Sequence, residues 1–196
     1  MTLLAFIRHG RTGWNAEKRI QGRTDIPLSD AGRAELRGFR APAITRDTDW
    51  HVSPLTRAVE TARLIGPDLF RIEPRLIEMG WGDWEGETLL SLRDRYGAQM
   101  LANEARGRDF CPPGGESPRD VLRRMHDWFC AVGAAGRPVT ALCHKGVIRA
   151  VLSHAYDWDM TGPAPVQLDW NAAHIFEVDA QGRLRPVEMN HPFEAV

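Results

Sequence analysis

The stretch Thr2-Leu3-Leu4-Ala5-Phe6-Ile7-Arg8-His9-Gly10 decides how the rest of the chain is read. Five of the seven residues from Thr2 to Arg8 are apolar, and the run stops at Arg8-His9-Gly10. A short apolar run of this kind reads as a strand buried on both faces, as in a parallel sheet. Such a strand releases its last residues at the carboxyl edge of the sheet, where open α/β sheets bind ligands. The remaining strands are therefore read for what each delivers at that edge.

Working outward, Ser29-Asp30-Ala31-Gly32 predicts a helix start with Ser29 as N-cap and a helix running to about Phe39. Trp50 to Ser53 reads as a second strand. It leads into SPLTRAVETARLIG, a helix with Pro54 in its first turn and its end at Gly66. Phe70 to Pro74 reads as a third strand, and VTALCH, after Arg137-Pro138, as a fourth followed by the helix KGVIRAVLSHAY. His174 to Val178 and Leu184 to Val187 predict a closing hairpin around Gln181-Gly182. The segment from about Met79 to Pro118 breaks the alternation: one expected helix, Glu87 to Tyr96, then the Gly/Pro-rich DFCPPGGES. SPRDVLRRMHDWFCAV resumes the core as an amphipathic helix. The expectation is a doubly wound α/β fold: a mainly parallel sheet with helices on both faces, one domain over residues 1–196, and a small insert at about 79–118 over the carboxyl ends of the strands.

Composition narrows the function classes. Hydrophobic residues are 43% and charged residues 26% of 196, the values of an ordinary globular domain. A formal net charge of −1 gives no nucleic-acid or anionic-membrane signature, so neither partner is expected. No stretch approaches the length of a membrane span, and the N-terminal apolar run is short with no basic residue before it. The three cysteines, Cys111, Cys130 and Cys143, have no metal-like spacing, and their odd number argues against a disulfide framework. A reduced, cytoplasmic setting is expected. Oligomeric state leaves no mark on the sequence.

Basic and titratable residues collect at the strand ends. The first strand delivers Arg8-His9-Gly10; the second, Ser53-Pro54 with Arg57 one turn on. The third is followed by Arg75 and Glu78; the fourth by Cys143-His144-Lys145-Gly146. Helix starts at the same edge add free N–H groups and positive dipole ends. This is a site for a dianion, with phosphate the leading candidate. A histidine among arginines has a depressed pKa and stays a neutral nucleophile, while arginines spread the charge of a phosphoryl transition state. Gly10 is expected to let the backbone approach the anion, and Glu78 to protonate the leaving oxygen. Asp83 and Glu85 are the next candidates for that acid.

FIRHGRTGWN, RIQGRTDIPLSDAG, HVSPLTRAVETA, LIEMGWGDWEG, PPGGES and CHKGVIRAVL together resemble the histidine phosphatase superfamily, which includes cofactor-dependent phosphoglycerate mutases and many small phosphatases. The resemblance spans about Phe6 to Leu152. It implies that His9 accepts the phosphoryl group, that Arg8, Arg57 and His144 complete the phosphate pocket, and that Glu78 is the acid/base. Asn15, Gln21 and Gly22 fall where the family contacts substrate or phosphate. No metal and no organic cofactor is implied. Two departures stand out. Arg11 replaces a glutamate common in the family, adding positive charge beside the pocket. Lys145 replaces a common glycine, and its ammonium either reaches a second anionic group or points to solvent.

The expected activity is hydrolysis of a small phosphorylated metabolite through a phosphohistidine. Phosphoglycerate mutase is the alternative, and it demands a well-covered site. The short Gly/Pro-rich insert and the few residues after the last strand favour the phosphatase. A non-catalytic phosphate-binding module is the third reading, opposed by the complete set His9, Arg57, Glu78 and His144. Trp14, Trp81 and Trp84 are expected to pack the insert against the sheet rather than line a substrate pocket. Cys143 is expected to be an inert core thiol, and Cys111 the more reactive one.

Overall fold

The structure, a computed structural model, describes all residues from Met1 to Val196. In chain order the strands are β1 (Thr2–Arg8), β2 (Phe39–Arg40), β3 (Asp49–Val52), β4 (Arg71–Ile72), β5 (Val139–Cys143), β6 (Ala172–Val178), β7 (Leu184–Pro192) and β8 (Glu194–Ala195). The helices are α1 (Gly13–Ala16), α2 (Asp30–Leu36), α3 (Thr56–Ile65), α4 (Leu89–Tyr96), α5 (Ala98–Glu104), α6 (Pro118–Ala135) and α7 (Lys145–Ala155). Six strands form one sheet in the order β4-β3-β5-β1-β6-β7. The four from β4 to β1 run parallel, and β6 and β7 are antiparallel additions at one side.

β1 is apolar from Leu3 to Ile7 because both of its faces are covered. Leu4 and Phe6 point into a core with Met125 and Trp128 of α6 and Ile148 of α7. Ala5 and Ile7 point the other way, against Leu36 of α2 and Ala58, Ala62 and Ile65 of α3. Phe6 meets Trp128 and Phe176 edge-on, at centroid distances of 6.3 and 5.8 Å. Truncating Phe6 to alanine would cost about 3–5 kcal/mol.

Parallel pairing puts the carboxyl ends of β1, β3 and β5 at one edge. Arg8 is in register with Cys143, and Val52 with Leu142. The ladder continues one residue further, with His9 N donating to Cys143 O and Ser53 N to Leu142 O, both at 3.0 Å. His9, Ser53 and His144 therefore leave the sheet side by side.

Several expected boundaries are corrected. The helix capped by Ser29 ends at Leu36 rather than near Phe39, because Phe39 and Arg40 pair with Ala195 and Glu194 as β2–β8. α3 begins at Thr56, two residues after Pro54, where the Asp25 carboxylate takes the Thr56 N–H and hydroxyl at 2.8 and 2.7 Å. The third strand shrinks to Arg71–Ile72 at the sheet edge, and the second shifts back by one residue. The helix expected over Glu87–Tyr96 starts at Leu89, since Thr88 caps it in a reciprocal bond pair with Ser91. A second insert helix, α5, was not expected; Met100 joins Trp84 and Leu92 in a small separate core that gives it a buried face. β7 runs on to Pro192, well past Val187.

Trp81, whose ring is tilted 59° to Phe110 at 5.4 Å, packs against the main core as expected, whereas Trp84 is buried in the small core within the insert rather than against the sheet. The insert also reaches the loop after β1: Gly86 N donates to Ile20 O and Ile20 N to Glu87 O, both at 2.8 Å.

Candidate active site

The site is built from the residue after each parallel strand. His9 follows β1 and is 5% exposed. Its Nδ1 lies 2.7 Å from the carbonyl oxygen of Gly10. A carbonyl only accepts, so Nδ1 carries the proton and Nε2 keeps a free lone pair. Burial holds the His9 pKa well below the usual imidazole range, and the positive charges of Arg8 and Arg57 push it further. The ring is neutral at physiological pH.

The expected role of Gly10 in admitting an anion is corrected. A β-carbon there would lie 2.5 Å from Leu36 Cδ1, so the missing side chain makes room for the α2 core. Gly10 N donates instead to the Thr61 hydroxyl at 3.0 Å, and that hydroxyl donates to Arg57 O at 2.7 Å.

Arg57 is fully buried, in the first turn of α3. Its guanidinium donates to Thr24 O at 2.9 Å, to Gly22 O at 2.7 Å, and through Nε to His144 Nδ1 at 3.3 Å. Three of five N–H groups are engaged, and two remain. His144 Nδ1 thus accepts, which leaves the proton on Nε2 to be donated to Ser53 Oγ at 2.6 Å. Burial first, then Arg57, lowers the His144 pKa well below its usual value. The His9 and His144 ring centroids are 5.1 Å apart.

Arg8 ends β1 beside His9. Its Nε is buried and has no hydrogen-bond partner, a donor awaiting an acceptor. Glu78 is 8% exposed; its oxygens accept from Met79 N at 2.8 Å and Gly146 N at 3.2 Å. Burial raises its pKa in spite of those bonds and of Arg57 and Arg8 nearby. The segment before it is pinned by Arg124 of α6, which donates to the carbonyls of Arg75 and Ile77 and, at 3.1 Å, to Glu116.

The structure brings Arg8, His9, Arg57, Glu78 and His144 into one buried cluster. The other expected contacts sit differently. Asn15 closes the cap of α1, its Oδ1 accepting from Thr12 N at 3.0 Å. Gln21 Oε1 accepts from the Thr12 hydroxyl at 3.0 Å. Both keep an amide nitrogen for a ligand. Gly22 contributes its carbonyl to Arg57. Lys145 lies outside the buried cluster, its Nζ 5.4 Å from the centre of the Trp170 indole.

Two residues that position the cluster, Thr61 and Arg124, were missed in the sequence; Ser53 was placed at its strand end without a role, and Glu85 was expected only as an alternative acid. Glu85 accepts four hydrogen bonds, from Arg23 N, Thr24 N and the Thr24 hydroxyl in the loop after β1 and from Trp81 N. Burial works to raise its pKa, but these bonds, chiefly from Thr24, hold it below the usual carboxylate value. A carboxylate so held is a poor proton donor, which removes it as an alternative acid. Arg124 had one visible signal, a cation beside the apolar positions Val121, Met125 and Trp128 of its helix. Cys143 is fully buried, as expected of a core thiol, and Cys111 is the more accessible of the two, although burial, then Asp120, raises its pKa and disfavours the thiolate.

Two neutral imidazoles, buried guanidinium groups and a buried carboxyl, set at the strand ends of an α/β sheet, define the histidine phosphatase class of fold and site. The chain belongs to the histidine phosphatase superfamily (branch 1), whose family profile matches residues 4–190. A protein of Gloeobacter violaceus, named 2,3-bisphosphoglycerate-dependent phosphoglycerate mutase 2, is 32% identical over 204 residues, covering 96% of this chain and 91% of its own. Glucosyl-3-phosphoglycerate phosphatase of Mycolicibacterium vanbaalenii is 36% identical over 170 residues, covering 76% of this chain and 71% of its own. Among solved structures, phosphoserine phosphatase of Entamoeba histolytica in complex with 3-phosphoglyceric acid superposes with a TM-score of 0.80 at 25% identity, covering 97% of each chain. No helix is long and apolar enough to cross a membrane.

Proposed function

We propose that the chain hydrolyses a small phosphomonoester through a phosphohistidine at His9. The observation that carries this reading is the Nδ1–H bond of His9 to Gly10 O, which leaves Nε2 as the nucleophile. In the first step Nε2 attacks phosphorus and the P–O ester bond breaks. The departing oxygen takes the proton of the Glu78 carboxyl, whose raised pKa suits it to give one. Arg8 Nε and the two free N–H groups of Arg57 bind the equatorial oxygens, and the positive charge needs no metal on this reading. His144 orients Arg57 through Nδ1. In the second step water attacks phosphorus, the electron pair of the P–N bond returns to Nε2, and the Glu78 carboxylate takes a proton from the water.

Phosphoglycerate mutase is the second reading, favoured by the Gloeobacter relative. Length and insert size do not separate the two reactions, since that relative is matched over 91% of its own length. Hydrolysis is the first reading because glucosyl-3-phosphoglycerate phosphatase of Mycolicibacterium vanbaalenii, at 36% identity, and the phosphoserine phosphatase structure of Entamoeba histolytica are both named for hydrolysis.

The test is a quenched turnover of an aryl phosphate followed by peptide mapping. Acid-labile, base-stable phosphate is expected on the peptide containing His9, and 3-phosphoglycerate is expected to release inorganic phosphate rather than its isomer. Label on a serine or cysteine, or full activity in His9→Ala, would overturn the reading.

A further inference from the structure

The stretch PPGGES, residues 112–117, packs on the chain that carries Glu78. A β-carbon on Gly115 would lie 2.5 Å from Gly80 O, and Asp83 N donates to Pro113 O at 3.0 Å. Glu116 N donates to Gly80 O at 2.8 Å, and Gly80 N donates back to Glu116 Oε2 at 3.0 Å. Through Oε1 the same carboxylate takes Arg124 Nε at 3.1 Å and Arg23 at 2.7 Å. Arg124 in turn donates to Ile77 O at 2.6 Å and to Arg75 O. Glu116 therefore holds the chain after Glu78 directly, and the chain before it through Arg124. The Glu78 side chain leaves the backbone between two fixed points.

The arrangement also balances charge. The side chains of Arg124 and Glu116 are only 18% and 19% exposed, so water and salt screen them little. The groups that act on Glu78 are the cations Arg8 of β1, Arg57 of α3, Arg124 of α6 and Lys145 of α7, with the Cys143 thiol of β5. His9 and His144 beside them are neutral. Every cation in this set favours a carboxylate over a carboxyl. Arg8 and Arg57 face the phosphoryl group on the proposed reading. Arg124 instead spends its donors on backbone carbonyls and on Glu116, its one carboxylate partner.

We infer that Glu116 is a positioning residue for the acid: it sets Glu78 in place by fixing the chain on both sides, and it cancels the charge that Arg124 would otherwise bring to bear on that carboxyl. This rests on the proposed hydrolysis, in which Glu78 gives its proton to the departing oxygen. Glu116 acts through Glu78 rather than on the substrate. Without the Glu116 charge, Arg124 stabilises the ionised form, and Glu78 loses its proton at lower pH.

The test observes Glu78 directly. The full chain, labelled with 13C at glutamate Cδ, is titrated by NMR, and the Glu78 resonance is the one missing from Glu78→Gln. In Glu116→Gln, which keeps the size and removes the charge, the Glu78 midpoint is expected about 0.5–1 pH unit below that of wild type. In Glu116→Asp, which keeps the charge and shortens the reach, it should stay within about 0.2 unit of wild type. Both variants should lose about 10-fold or more in kcat/KM for an alkyl phosphate, and less than about threefold for an aryl phosphate with a good leaving group, because the acid rather than the phosphate pocket is disturbed. An unmoved or raised midpoint in Glu116→Gln, an equal fall in Glu116→Asp, or equal losses with the two esters overturns the inference. If Glu116→Gln does not fold, Glu116→Asp decides by its ester ratio, and a ratio equal to that of wild type overturns it. If the midpoint falls as expected while wild type turns over no ester, the role of Glu116 toward Glu78 stands and the proposed hydrolysis falls.

Discussion

The carboxylate of Glu85 occupies the space that a side chain on residue 22 would need: a β-carbon built on Gly22 lies 1.9 Å from Glu85 Oε1. Gly22 also has φ +53°, a conformation that costs other residues energy. The contact matters because the loop that Glu85 gathers supplies the carbonyls of Gly22 and Thr24 that hold Arg57. The insert is thereby tied to the phosphate-binding arginine through one acid.

Glu85→Gln is expected to damage this tie despite the equal size of the two side chains. Both carboxylate oxygens accept, and the Gln amide nitrogen would face N–H or O–H donors. Leaving a partly buried donor unsatisfied costs about 1–3 kcal/mol. The expected outcome is a fall of more than tenfold in kcat/KM for a phosphomonoester, with aryl and alkyl esters affected alike because the arginine rather than the acid is displaced. Unchanged kinetics would show that Arg57 keeps its place without the loop.

Arg57→Lys preserves charge and is nonetheless expected to be severely impaired. The guanidinium bonds to Thr24 O, Gly22 O and His144 at once and still has two donors, whereas an ammonium has three in all. A loss of about 2–4 kcal/mol in transition-state stabilisation is expected, by comparison with removal of an oxyanion donor. The check is kcat/KM alongside phosphate affinity; a variant within a few-fold of wild type contradicts the assignment.

Glu78→Gln separates esters by leaving group. A raised pKa keeps the carboxyl protonated to higher pH, so catalysis that needs its proton is present below that value and is lost as pH rises through it. Wild type should therefore show a falling alkaline limb with alkyl phosphates, absent in the variant. Loss of the acid should slow single-turnover phosphorylation by alkyl phosphates about 100-fold or more, and by aryl phosphates with good leaving groups far less. Equal losses would mean that Glu78 only positions the substrate.

Two histidines outside the site set the acid stability of the fold. His51 Nδ1 accepts from Trp128 Nε1 at 2.9 Å, and burial lowers its pKa to about 4. His174 Nδ1 accepts from Asn190 N, and burial likewise takes its pKa to about 4. A depressed histidine pKa means that the unfolded chain binds the proton first. Stability is thus present above the unfolded value near 6.5 and is lost as pH falls toward 4, on the order of 2–3 kcal/mol for each residue. Urea midpoints at pH 7 and 4.5 should drop less in His51→Gln and His174→Gln than in wild type. An identical drop in the variants would place the acid sensitivity elsewhere.

By itself the sequence indicated the mainly parallel sheet, because short apolar runs such as Leu3–Ile7 alternate with helical segments, and the Ser29 cap and the apolar spacing of α6 are local signals. It also placed His9 and His144 at one edge, since that follows from strand direction alone. Tertiary structure decided what depends on partners distant in the chain. The tautomers of His9 and His144 are set by Gly10 O and by Arg57, and Gly10 turns out to face Leu36 rather than the anion. The missed helix α5 has a buried face only because Trp84 and Leu92 fold against it. Glu85 under Gly22 and Lys145 on Trp170 are contacts between segments with no common periodicity. Side-chain direction and long-range contact create them, and a pattern read along the chain contains neither.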